Sequence, residues 1–511
     1  MDFMNAVKQT LNNEVNVSIT ENGAVGYRTT GKELLDLNFA VASLRKMSDA
    51  EVANRFKKAF CEDKILAMKW LFYARDVRGG LGERRLFRVV LEDLVKSNPE
   101  MVISIINLIP EYGRFDDLWC LLDDKDAANV IYQIVDNQLK CDWESMAVKK
   151  PISILAKWMP SINASSAKTK EYGKKLCKAL KMTEREYRKA LSKLRKYLDV
   201  VEVKMSDKNW SEIKYEAVPS RANLIYNNAF LRNDEERRRE YLSKLEKGET
   251  KINASTLFPH DIVHKYCNGS RYMKRKDATI EALWKALPDT VNGCGNTIVV
   301  ADGSGSMTIP VDHNSGVTAL EVANALAIYF AEHSSGQFKD KYITFSSRPQ
   351  FVDFSHCNSL HEKLQTAFAH NEVADTNIER VFDLILTTAI NGRMNQEDLP
   401  KNILIISDME FNSCATCNTS AYGRIPKTLF DTIAQKYATA GYKMPRLVFW
   451  NVNSRTGTIP VKENDLGVAL VSGFSVNVAK MVMSGKTDPF ECLLETLNSE
   501  RYAPIEVALT Q

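Results

Sequence analysis

The run Asp302-Gly303-Ser304-Gly305-Ser306 pairs one carboxylate with two hydroxyls at alternating positions. These are hard oxygen donors, suited to Mg²⁺ or another hard divalent cation and poorly suited to zinc or copper. The two glycines allow a tight turn that brings the hydroxyls inward. TIVVA directly before it reads as a short buried strand. The run therefore stands at the carboxyl end of a strand, where ligand sites form in open α/β sheets. Two later residues extend the set. Thr376 precedes the helical pattern VFDLIL, where an N-cap belongs. Asp408 follows the strand pattern ILIIS directly. The expected metal donors are Asp302, Ser304, Ser306, Thr376 and Asp408.

Alternating strand and helix patterns from about residue 296 must position these residues. After TIVVA come the helix pattern ALEVANALAIYFAEHS and a hairpin of KYITFSS with QFVDFS. The strand patterns NILIIS, RLVFWNV and VALVSG follow, with helices between them. That order predicts a mostly parallel, doubly wound α/β sheet. From about 34 to 290 the period is helical, as in KILAMKWLFYARDV and RRLFRVVLEDLVKS. Short breaks between such helices predict antiparallel pairs, as in a bundle or an α-solenoid of HEAT-like repeats, although the sequence shows no fixed repeat period. The expected chain is thus multidomain. It has an N-terminal arm at 1–30, a helical repeat domain at 31–290, an α/β domain at 291–485, and a C-terminal helix and tail at 486–511.

The five-residue metal pattern, each residue in its topological place, resembles the metal-ion-dependent adhesion site (MIDAS) of von Willebrand A domains, which have a Rossmann-like fold. The resemblance implies that Ser304 and Ser306 ligate the metal directly. Thr376 would ligate directly or through water, and Asp302 and Asp408 mainly through bridging waters. It also implies an open position that a partner's carboxylate fills. The whole chain is similar to proteins of the Ro autoantigen type, an α-helical TROVE module followed by a von Willebrand A domain. The helical half, RDVRGGLGER at 75–84 and SDMEF at Ser407–Phe411 carry that likeness. A TROVE-like family of unknown function is more similar still, through KWMPS at 157–161 and YEAVPSRA at 215–222. The Ro resemblance implies a ring of helical repeats that binds small noncoding RNAs and misfolded RNA ends.

Charge supports an anionic partner for the helical half. The 511 residues carry a formal charge of +4, but residues 1–290 hold +10 and residues 291–511 hold −6. Residues 168–196 contain twelve Lys and Arg against three Glu. Thr183 and Glu186 form a capping-box signature, and Tyr187, Leu191, Leu194 and Leu198 a buried stripe. The cations then occupy the remaining faces as a positive ridge suited to phosphates. Lys168, Lys170, Lys174, Lys175, Arg185, Arg188, Lys189 and Arg195 are the expected RNA contacts.

Other motifs carry less. The glycines of RDVRGGLGER lack G-K-[ST] and join two helices, so a turn is expected in place of a phosphate loop. His260 and His264 have Asp261 where a zinc protease needs Glu. Cys414 and Cys417 form a lone CxxC that cannot complete a zinc site. Ten cysteines are too few for a disulfide scaffold. The first residues, MDFMNAVKQTLNNEVNVS, do not read as a secretory signal, and no run is long enough to span a bilayer. The sequence therefore predicts a cytoplasmic, non-catalytic ribonucleoprotein component that binds RNA and Mg²⁺. The alternatives are a metal-dependent protein-interaction adaptor and, with fewer direct carboxylate ligands than that chemistry needs, a metal-dependent nuclease.

Overall fold

A computed structural model describes residues 4, 15–267, 273–291, 296–345, 348–371, 377–411, 429–460, 468–479 and 488–510. Helices dominate the amino-terminal part, and a mixed six-stranded sheet organises the carboxyl-terminal part. The chain forms two compact units, each assembled from two separate stretches of sequence.

The first unit comprises residues 1–63 and 257–497. It opens with a hairpin of β1 (Val17–Ile19) and β2 (Val25–Tyr27). Its sheet contains β3 (Thr297–Asp302), β4 (Lys341–Phe345), β5 (Gln350–Asp353), β6 (Asn402–Ser407), β7 (Arg446–Asn451) and β8 (Val468–Ser472). The strand order is β5-β4-β3-β6-β7-β8, with β5 antiparallel at one edge and every other pair parallel. The central residues of β3 and β6, IVVA and ILII, are apolar and all but Ile298 are buried, as in strands covered on both faces. The order reverses direction at β3, whose neighbours are β4 and β6. Loops leaving these strands splay apart there and open a crevice at their carboxyl ends. Helix Ala319–His333 is buried almost all round and packs on β3, β4 and β6. Its start is fixed by a capping box of Thr318 and Glu321.

The hairpin corrects the expectation of an arm at 1–30. Tyr27 N–H donates to Ile459 O at 2.8 Å, and Ile459 N–H returns a bond of 2.8 Å to Tyr27 O. Residues 15–30 thus belong to the α/β unit. Helix Glu33–Phe39 and helix Pro259–Cys267, expected in the helical module, also lie in this unit. The first of these packs against β8 and the second against helix Ala319–His333.

The second unit comprises residues 64–256 and 498–511. Helices Lys64–Arg75 and Arg84–Ser97 bury Trp70, Phe72, Tyr73 and Phe87. Phe72 meets Phe87 and Tyr112 edge-on, at centroid separations of 5.5 and 5.1 Å. The last residues of the chain close this core. Tyr502 stacks on Tyr112, and its hydroxyl donates to the buried Asp76 at 3.2 Å. Arg501 also pairs with Asp76, and Lys69 reaches Glu506 at 2.6 Å. The glycine turn joins the two helices as expected. A Cβ at Gly80 would lie 1.9 Å from Tyr73 O, so only glycine fits. Among the described residues no helix is long and apolar enough to cross a membrane.

Candidate metal centre and basic surface

Asp302 ends β3 and is 1% exposed. Its Oδ1 accepts the Ser304 N–H at 2.9 Å, and its Oδ2 accepts the Ser407 hydroxyl at 2.7 Å. Ser407 is the last residue of β6, so this carboxylate spans the point where the sheet reverses. The Ser304 and Ser306 hydroxyl oxygens are 3.0 Å apart. The Ser306 hydroxyl also hydrogen-bonds Asp408, which is fully buried. Four of the five expected donors therefore gather in one crevice. Thr376 lies outside the described residues. A Cβ at Gly303 would sit 2.9 Å from Asn371 Oδ1, so the Asn371 side chain packs directly over this glycine. Asn371 is 8% exposed, and its Nδ2 has no hydrogen-bond partner among the described residues.

Two carboxylates in so buried a place oppose each other. Burial first, and then the charge of Asp408, push the Asp302 carboxyl from 3.8 up to about 7. Burial also raises Asp408, although Arg455 opposes that shift. All the donors are oxygens and the two acids lack full neutralisation, so the residues fit a hard divalent cation. Among the described residues no group of three or more His, Cys, Asp or Glu could hold a metal.

Arg455 is the main residue that the sequence reading missed. It lies in the loop after β7, and its Nη1 donates to Asp408 Oδ2 at 2.7 Å. Glu21, between β1 and β2, accepts from Arg455 Nε and Nη2 at 3.0 and 2.6 Å. Glu410 braces the same corner. Its carboxylate accepts the N–H groups of Arg455 and Thr456 at 2.8 and 2.9 Å, and that of Glu21 at 3.0 Å. Met409, between the two acids, has a φ of +63°, a conformation non-glycine residues rarely adopt. A charged residue one loop beyond a parallel strand was the available signal for Arg455, but nothing in its spacing ties it to Asp408.

The histidine pair forms no site. His264 Nδ1 lies 3.1 Å from both Glu321 oxygens, whereas His260 stacks on Phe258 and meets Phe474 edge-on. Cys414 and Cys417 lie outside the described residues.

The basic ridge belongs to helices Ala167–Ala179 and Glu184–Tyr197 of the second unit. The capping box of Thr183 and Glu186 is present, and Tyr187, Leu191 and Leu194 are buried. The eight expected RNA contacts divide into three groups. Lys170, Lys174, Arg185, Arg188 and Lys189 are exposed. Lys168 and Lys175 both pair with Asp123, at 2.7 and 2.5 Å. Arg195 points into the fold, where its guanidinium donates to Ala156 O, Met159 O and the Ser161 hydroxyl at 2.7 to 3.0 Å. Amphipathic spacing marks a face but does not show which cations local carbonyls and acids will occupy.

A sheet of this order joined in one chain to a helical unit defines the class of protein. By its sequence, this chain belongs to the family described as Domain of unknown function (DUF2828), whose model matches residues 20–112 and 127–297. A second model, Domain of unknown function (DUF7788), matches residues 296–502, the stretch that holds the six-stranded sheet. The uncharacterized protein L728 of Acanthamoeba polyphaga mimivirus is 30% identical over 96% of this chain and 89% of its own length. Among solved structures, the Deinococcus radiodurans RO (RSR) protein aligns over 84% of this chain and 93% of its own, with a TM-score of 0.42 and 14% identity.

Proposed function

We propose that this protein is a non-catalytic RNA-binding component of a ribonucleoprotein, with a von Willebrand A-type metal centre for a partner. The observation that carries the RNA reading is the exposed group Lys170, Lys174, Arg185, Arg188 and Lys189 on two helices that touch each other. Such a ridge attracts a phosphate backbone and releases its counterions. Single-stranded or small structured RNA fits this use, since phosphate contacts need no groove geometry.

In the other unit, Ser304 and Ser306 would hold Mg²⁺ together with Asp302, Asp408 and Thr376. The bound ion would neutralise the two acids and offer a position to a partner's carboxylate oxygen. The chain's own residues do the positioning. Ser407 orients Asp302, Ser306 orients Asp408, and Arg455 carries part of the charge of Asp408. The two acids are both committed to this network, and neither is left as a general base.

Native protein purified at low salt tests the reading through its absorbance ratio at 260 and 280 nm. Copurifying nucleic acid that high salt strips away is the expected result. A preparation free of nucleic acid at low salt, with no affinity for added RNA, would leave the metal-dependent adaptor as the better reading. The metal centre favours that second reading, because it needs no RNA to act.

A further inference from the structure

The helix Arg84–Ser97 starts against ordinary rules. Its N-cap residue Glu83 makes no side-chain cap, and its first turn holds no acid. Arginine at its first position instead sits at the positive end of the helix dipole, where cations are disfavoured. More guanidinium charge gathers at the same place. Arg88 lies one turn on, Arg75 ends the preceding helix, and Arg114 arrives from a separate loop. Among the described residues, Asp116 and Asp117 are the ion partners of these four arginines.

Asp117 is spent on the fold. It is fully buried, and it takes Arg75 Nε and Nη2 at 2.8 and 2.7 Å and Arg88 Nε at 2.7 Å. It also accepts the Arg114 N–H at 3.0 Å. Asp116 is shared among Arg88, Arg114 and, at 4.0 Å, Arg84. Two aspartates thus serve four guanidinium groups, which leaves two of those charges without an ion-pair partner of their own among the described residues. Arg84 Nη1 has no closer acid than that 4.0 Å contact, and its side chain is half exposed.

Hydrogen bonding shows the same surplus. Trp158 Nε1 is a buried donor without a hydrogen-bond partner among the described residues, and Arg88 Nη2 and Arg114 Nε reach only the shared Asp116, at 3.0 and 2.9 Å. The Arg114 guanidinium lies over the Trp158 ring at 4.0 Å, which ties the tryptophan to the cluster. Unsatisfied buried donors are rare and costly. Burial, and then the neighbouring Arg114 and Arg88, hold Arg84 below the ordinary guanidinium value. Burial likewise lowers Arg114.

We infer that Arg84, Arg88 and Arg114, with the Trp158 indole N–H and the first turn of helix Arg84–Ser97, form a binding site for a phosphoryl group. A tetrahedral dianion matches two surplus charges, and guanidinium forks hold phosphate oxygens in pairs. The helix start adds backbone donors and a favourable dipole. This site is separate from the ridge at 168–189 and does not rest on the RNA reading. The ligand is either a free phosphate compound or a phosphate of a nucleic-acid strand.

Inorganic phosphate and pyrophosphate are titrated into the full chain at constant ionic strength, with thermal melting as the readout. The expected result is a saturable rise of about 2–6 °C that chloride does not reproduce. Arg84→Gln removes an exposed crowded charge. It is expected to melt at or above the wild-type temperature without phosphate, and to lose the phosphate-dependent rise. Arg114→Gln is expected to lose the rise as well. Absence of a saturable rise in the wild type, or an undiminished rise in both variants, would overturn the site. RNA oligonucleotides with and without a 5′-phosphate identify the source. Tighter binding of the phosphorylated strand, lost in Arg84→Gln, assigns the site to a strand terminus. Equal binding of both, with the inorganic response intact, assigns it to a free phosphate and leaves the ridge to be tested by itself.

Discussion

Asp302 carries the clearest consequence of burial in the molecule. Its carboxyl is raised to about 7, so the folded chain holds this proton more tightly than the unfolded chain does. The resulting penalty is absent below the ordinary carboxylate value and complete above about pH 7. Metal-free protein should therefore lose stability as pH rises across that window, and Mg²⁺ should restore it. Asp302→Asn should flatten this pH dependence in chelator, melt at or above wild type at pH 8, and show no Mg²⁺ response. Thermal melts across pH with and without Mg²⁺ check all three. Arg455 acts in the opposite direction, because it neutralises part of Asp408 without metal. Arg455→Gln should lower the metal-free melting temperature by about 2–6 °C and enlarge the Mg²⁺-dependent rise. An unchanged Mg²⁺ response in that variant would remove Arg455 from the site.

Strand order places these residues; the mostly parallel sheet was legible, whereas the order of its strands was not. The apolar runs TIVVA and NILIIS are buried on both faces, and such strands announce a parallel sheet in any one sequence. Asp302 and Asp408 were found because each directly follows such a run. Arg455 and Glu21 were not found because their roles depend on register and loop path, which the two-residue period of a strand does not encode. The hairpin β1–β2 was misread for a similar reason. Its strands are three residues each, too short to show alternation, and its partner Ile459 is far away in sequence. A Cβ at Gly26 would lie 2.7 Å from Ile459 O and from Thr458 Cγ2. Gly26→Val should therefore undock the hairpin. Limited proteolysis should then cut within residues 15–30, and the Mg²⁺ midpoint should shift as Glu21 leaves Arg455. Protection equal to wild type would show that the hairpin docks without this close approach.

Across the whole chain, neither compact unit is a continuous stretch. The change of period near 290 marks where the sheet begins but not where its unit begins, since residues 15–63 and 257–291 also belong to it. A fragment starting at 291 lacks helix Glu33–Phe39, which covers β8, and helix Pro259–Cys267, which covers helix Ala319–His333. It should show no cooperative melt by circular dichroism, whereas the full chain should. The charge asymmetry persists at this scale as the basic ridge, narrowed to the five exposed cations, of which Arg188 also turns its Nε to Glu184 O at 3.3 Å. RNA affinity measured as a function of salt tests the central claim most directly. The wild-type chain should lose affinity linearly in log salt. Replacing Lys170, Lys174, Arg185, Arg188 and Lys189 with Gln should reduce that slope by up to about 3.5, taking roughly 0.7 per single-strand phosphate contact. An RNA affinity that is absent, independent of salt, or unchanged in slope by the five replacements would contradict it.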